Sequence, residues 1–118
     1  MLYSKDVVQK DLSNIVMDSN IPFDMLKGKT VLVTGAMGMI AYYFTCTLMY
    51  LNQHKNMDIK VVALVRNGCK AREGFSDFVD SRHFQLLIQD VCVPIDYKGK
   101  IDYIFHAAGG ASPKMIKN

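Results

Sequence analysis

The sequence predicts an α/β protein built on a parallel sheet. Three observations carry that expectation. Four short apolar runs punctuate the chain, beginning near Val31, Ile59, His83 and Ile101. Helical spacing of apolar residues separates the first run from the second. Between that run and that helix sits a small-residue turn, with Gly35, Gly38 and Ala41 at intervals of three.

In chain order, residues 5–18 carry Val8, Leu12, Ile15 and Val16 at helical spacing, which predicts an amphipathic helix. Asn20 and Pro22 break it. Phe23 and Leu26 are expected to dock this arm on the domain. "GKTVLVTG" follows, with Gly28 as a terminator and Val31 to Val33 as a strand buried on both faces. From Gly38 to about Leu51 the residues Ile40, Tyr43, Phe44, Thr47, Leu48 and Leu51 predict a helix. "NQHKNMD" is a polar connection, and Ile59 to Val65 is a second buried strand. Gly68 starts a turn into a short helix carrying Phe75, Phe78 and Val79. "HFQLLIQDV" is a third strand, "VPIDYKGK" a loop, and "IDYIFHAAGG" a fourth strand running into glycines. Strands that alternate with helices imply crossover units.

Composition narrows the classes. The chain has 118 residues, of which 50% are hydrophobic and 21% charged, as in ordinary globular domains. No apolar run approaches the roughly 20 residues that span a bilayer, and the mixed N-terminus does not resemble a signal peptide. No membrane partner is expected. With 14 basic and 11 acidic residues, the net charge of +3 is too small and too scattered to argue for nucleic acid. Cys46, Cys69 and Cys92 have no metal-ligand spacing. They are expected to be reduced, buried hydrophobes in a cytoplasmic protein.

The glycines suggest a ligand. Gly35 permits a tight turn in dihedral space barred to other residues. Gly38 removes a side chain, so that a ligand can approach the backbone. Ala41 keeps the helix close to the strand. A helix start presents unpaired N–H groups and partial positive charge, which suit a pyrophosphate. Met37, Met39 and Ile40 flank this approach as rim or cofactor contacts.

"TGAMGMIA" resembles the TGxxGxxG motif of the extended short-chain dehydrogenase/reductases, the NAD-dependent epimerase/dehydratase family. Asp90-Val91 resembles that family's pair after the third strand, whose carboxylate meets the adenine amino group. "HAAGGASP", His106 to Pro113, resembles the segment after the fourth strand, which lines the inner cofactor site with Ala107, Ala108 and Gly109. Ser112 is a substrate-side candidate on the same ground. "QDVCVPIDYKGKIDYIFHAAGGASP" is similar to the matching region of UDP-glucuronate decarboxylases. The resemblance implies a Rossmann-type sheet of order 3-2-1-4 over residues 28–118; the helical spacing ahead of it makes 1–27 an N-terminal helical arm. It implies an NAD or NADP cofactor and a nucleotide-sugar substrate that is transiently oxidised. A non-catalytic dinucleotide sensor of the same fold is the rival reading.

Two departures matter. NAD-using members usually end the second strand in a carboxylate that meets the adenosine ribose. Here that position is Arg66-Asn67, with Lys70 and Arg72 close behind. A guanidinium grips a 2′-phosphate that a carboxylate would repel, so Arg66 favours NADP. Asn67 is expected near the adenosine ribose. The family's acid/base pair, Tyr-x-x-x-Lys, is absent: no tyrosine has a lysine four residues later. The expectation is an N-terminal part of a larger enzyme, inactive alone. Its open sheet edge would favour a homodimer. Among the rest, His54 is expected to be solvated, His83 to lack a partner, and His106 to be structural. Lys114 and Lys117 are expected at a solvated helix start.

Overall fold

The computed structural model describes residues 5–18, 23–89, 94, 95, 97–106 and 114–117, the side chains at 16–18 and 114–117 excepted. Helix α1 spans Asp6–Asp18, and a single 3₁₀ turn covers Phe23–Leu26. Strand β1 (Thr30–Thr34) leads into α2 (Met39–Lys55), then β2 (Lys60–Val65), α3 (Gly68–Gly74) and β3 (Phe84–Ile88). Strands β4 (Tyr103–His106) and β5 (Lys114–Lys117) complete a sheet of order β3-β2-β1-β4-β5. The first four strands are mutually parallel, as the crossover pattern requires, and the fold is α/β of Rossmann type.

β5 corrects one expectation. Lys114 to Lys117 form a strand antiparallel to β4, not a helix start, with Ile104 opposite Ile116 and His106 opposite Lys114. The edge of β4 is therefore paired, and the open edge lies one strand further out.

The period-two pleat sorts the strands cleanly. Val31 and Val33 of β1, Val61, Ala63 and Val65 of β2, and Phe84 of β3 face the helices in the main core. Leu32, Val62 and Leu64 face the other way, in a second cluster with Leu87, Tyr97, Ile101 and Ile104. Burial on both faces explains why β1 and β2 read as continuous apolar runs. Complete burial of a side chain such as Leu32 stabilises the fold by about 1.5–3 kcal/mol.

The arm belongs to the main core. Val8, Leu12, Phe23 and Leu26 are all buried in it. Ile15, on the expected apolar stripe of α1, stays partly exposed. α3 is shorter than the sequence suggests. It ends at Gly74, so Phe75 and Phe78 are held in the turns that follow and Val79 is exposed. Phe75 is nonetheless fully buried, with Tyr42 stacked at 5.1 Å and Phe84 tilted at 5.2 Å between ring centroids.

α2 is longer than predicted, because its polar end is not all solvated. Asn52 is buried, and its amide brackets Ile59: Nδ2 donates to the Ile59 carbonyl at 2.7 Å and Oδ1 accepts from the Ile59 N–H at 2.7 Å. That pair satisfies the backbone just ahead of β2. The helix then stops at Asn56, whose φ of 51° is left-handed and tolerable for Asn. Asp58 follows with a φ of 55°. Its carboxylate meets His83 Nε2 at 2.7 Å, so His83 has a partner, contrary to expectation.

At the same end of the sheet, Asp102 ties β4 to β1. Its Oδ2 accepts from the Thr30 N–H at 2.9 Å, and its own N–H donates to the Thr30 carbonyl at 2.9 Å. The Thr30 N–H holds this carboxyl below the ordinary carboxylate range, helped by Lys100 at 3.3 Å. Among the described residues, no helix is long and apolar enough to cross a membrane.

Replacing Asn52 by Ala leaves two buried backbone groups unpaired. At about 1–3 kcal/mol for each orphaned group, Asn52→Ala should lower stability by roughly 2–6 kcal/mol. Urea unfolding checks this. A loss under about 0.5 kcal/mol, the range of ordinary surface substitutions, would show that the bracket carries no weight.

Candidate functional site

The carboxyl ends of β1, β2 and β4 lie in one row. Thr34 pairs with Leu64 on one side and His106 on the other. The glycine turn and the Arg66-Asn67 turn leave the sheet at this edge, where β4 also ends. The strand order also reverses direction here, since the chain runs from β1 outward to β2 and β3 and then returns to β4 beside β1. In open α/β sheets, such a switch point is where ligands bind.

The turn itself is built as the sequence implies. Gly35 has a φ of +59°, a conformation that a side chain disfavours. Ala36, fully buried, donates its N–H to the Leu64 carbonyl at 3.4 Å, which pins the turn to β2. Gly38 donates to the Gly35 carbonyl at 2.9 Å and forms the N-cap of α2 in extended geometry. A Cβ at Gly38 would stand 3.3 Å from that carbonyl oxygen. Gly38 has no side chain to cap α2, so the first-turn N–H groups have no intrahelical partner. Ala41 is buried against the sheet, as expected for a residue that seats the helix.

Around this turn the surface is apolar. Met37, Met39 and Ile40 are exposed by 41%, 80% and 60%, well beyond what core residues would show. Met37 reaches across to Gly74, where an added Cβ would meet its Cε at 2.8 Å. Tyr42 makes a parallel link, donating its hydroxyl to the Gly74 carbonyl at 2.6 Å. The start of α2 and the end of α3 are thereby held together.

Arg66 is exposed at the end of β2. Asn67 is exposed beside it, and its Oδ1 accepts from the Lys70 N–H at 3.1 Å and caps α3. The Arg72 guanidinium folds back over the same turn, with Nη1 3.3 Å from where a Gly68 Cβ would stand. Ile88 closes the turn from the β3 side, its Cδ1 2.6 Å from that point.

His106 Nδ1 lies 2.9 Å from Thr34 Oγ1. Thr34 is buried and His106 exposed, so the pair joins β1 to β4 at the row's end and orients the ring. Tyr42 and Cys46 stand one helical turn apart, and neither is poised for acid/base work. Burial pushes the Tyr42 hydroxyl far above its ordinary range and the Cys46 thiol up to about 12. Both therefore stay protonated at neutral pH.

Of the sequence-derived cofactor residues, Gly35, Met37, Gly38, Met39, Ile40, Arg66 and Asn67 gather at this edge. Asp90, Val91, Ala107, Ala108, Gly109 and Ser112 lie outside the described residues, as does Cys92. Cys46 is buried as expected, whereas Cys69 is exposed beside Asn67. His54 is exposed, but its ring packs 4.2 Å from that of Tyr50. Sequence reasoning missed Asn52 and the Tyr42–Gly74 link. A polar residue one turn from Leu48 on an apolar helix face was the available signal for Asn52. No family model matches the chain, and no match arises among curated proteins or solved structures.

Because the Asn67 side chain is engaged in capping, Asn67→Ala should act on α3 itself. Loss of such a cap costs about 1 kcal/mol. Chemical denaturation measures it, and an unchanged midpoint would contradict the capping role.

Proposed function

We propose that this edge binds NAD(P), and that the chain supplies the cofactor-binding part of an enzyme that transiently oxidises a nucleotide sugar. One observation carries the first half: a positive-φ glycine turn delivers the uncapped N-terminus of a 17-residue helix to the switch point of the sheet. Backbone N–H groups and the helix dipole there favour a pyrophosphate, the dipole by about 0.3–1 kcal/mol for each charge. Met37 and Ile40 offer apolar contact for the remainder of a dinucleotide. The second half rests on the motif resemblance. The chain has no Tyr-x-x-x-Lys, so its own residues hold and orient the cofactor and do not complete the oxidation.

Gly38→Val should abolish NAD(P) binding, because the side chain fills the approach to the backbone. That variant also crowds the Gly35 carbonyl, so a second one separates folding from binding. Met39 is exposed in the first turn of α2, where a carboxylate stabilises a helix but repels a bound phosphate. Met39→Glu should keep or raise thermal stability while weakening NAD(P) about tenfold or more. Calorimetric titration that finds both variants folded, with wild-type affinity, would reject the site.

The preferred cofactor in this reading is NADP. Arg66 is exposed, and among the described residues no ion pair engages it. A charge-assisted contact to a 2′-phosphate contributes about 1.5–3 kcal/mol. Arg66→Asp should weaken NADP roughly ten- to a hundredfold and leave NAD equal or improved. Equal losses for both cofactors in paired titrations at fixed salt would instead place Arg66 against the adenine.

A further inference from the structure

A cavity of about 220 Å³ opens at the end of the sheet opposite the glycine turn, between the last turns of α2 and the segment leading from α3 into β3. Its apolar lining is Met49 and Phe78. Met49 and Phe78 are both buried, and Phe78 is fixed in an aromatic cluster with Phe75 and Phe84. Asn52 forms a wall, but its amide is spent on Ile59, so it is scaffold and not a free ligand group. The other polar groups at the cavity are Gln53, Asp77, Ser81 and His83.

Two independent features set the sign of charge that suits this space. Asp77 contributes a carboxylate, and among the described residues no lysine or arginine lines the cavity, while the His83 ring is held against the Asp58 carboxylate. In addition, α2 ends here, and the unpaired carbonyls of a helix C-terminus carry roughly half a negative charge. His54 and Lys55, in the same last turn, are exposed and take no part in the lining. Ser81 Oγ accepts from the His83 N–H at 3.1 Å and keeps its own O–H to donate, while His83 Nε2 is held by Asp58 at 2.7 Å. The Asp77 carboxylate only accepts. The cavity thus sets a carboxylate beside Met49 and Phe78.

We propose that it binds a small organic cation of the amidinium or guanidinium class, with the planar head toward Asp77 and the apolar body on Met49 and Phe78. Such a head donates several hydrogen bonds in one plane, pairs with a carboxylate in a forked contact, and is attracted to an aromatic ring. This site does not depend on the dinucleotide reading, since it shares no residue with the glycine turn.

Benzamidine is a suitable probe, titrated near neutral pH and followed by amide proton–nitrogen NMR of the whole chain. The expected result is saturable shifts confined to Gln53, Asp77, Ser81, His83 and their neighbours. For so small a ligand, affinity should be on the order of 1 mM. Benzoate, with the same shape and opposite charge, should produce none of these shifts. Asp77 is exposed, so Asp77→Asn should fold as the parent does and weaken benzamidine at least about fivefold. Met39→Glu should leave benzamidine binding unchanged even as NAD(P) binding is weakened. Shifts scattered over the surface, equal binding of benzoate, or undiminished affinity in Asp77→Asn would each overturn the proposal.

Discussion

Strand β1 is hydrogen-bonded along both edges and buried on both faces, and the rest of the molecule is placed from it. Its partners β2 and β4 run in the same direction. A parallel neighbour cannot be reached by a tight hairpin, so the chain must leave β1 and cross the sheet before returning. That crossover begins at Thr34, which is buried, and must turn at once into α2. A residue with a side chain at Gly35 would strain at a φ of +59°, and a bulkier one than Ala41 would push α2 off the sheet. The backbone that makes the crossover possible is the same backbone that leaves N–H groups open at the sheet's edge. The candidate site is in this sense a consequence of topology, made available by glycine.

The two faces of the sheet are finished differently. Helices α2 and α3 and the arm close one face around a large core. The other face buries Leu32, Val62 and Leu64 under a smaller group in which Tyr97 and Ile101 come from the β3–β4 connection. An irregular segment can do this only if the strand ends near it are secured. Asp102 secures β4 to β1 through both backbone groups of Thr30, and His106 repeats the link at the other end of β4 through Thr34. Asp102, just ahead of β4, and His106, its last residue, thus link the strand to β1 at both termini.

How much of this was legible from the sequence follows from where the forces act. β1 and β2 were legible because burial on both faces leaves an uninterrupted apolar run. The turn at Gly35 was legible because its backbone admits few residue types. β5 was not, because a short edge strand with a lysine at either end has no periodicity to distinguish it from a loop or helix start. The end of α2 misled for a related reason. "NQHKNMD" is polar in composition, but Asn52 is polar in order to satisfy the buried backbone of Ile59, seven residues on. The Asp58–His83 contact spans 25 residues and has no local signature at all. Asn67 was legible by its position at the end of β2 but not in its local role, because the cap it gives α3 depends on how the chain turns after the strand.

Helix α2 connects the two ends of the molecule and gives them opposite electrostatic character. Its first turn, uncapped and glycine-led, faces the switch point with partial positive charge. Its last turns, at the other end of the 17-residue helix, face the cavity beside Asp77 with partial negative charge. Between them the helix is neutral and buried, with Thr45 and Thr47 turning their hydroxyls back onto the carbonyls of Ala41 and Tyr43. No acidic residue occupies the first turn, where one would stabilise the helix but repel an anion. The sequence forgoes that stabilisation at the end where an anion is proposed. It also keeps Asp77 at the end where the dipole already disfavours negative charge. The two ends therefore differ: the first turn has no side chain that offsets its dipole, whereas Lys55 in the last turn offsets part of the negative end and Asp77 adds to it.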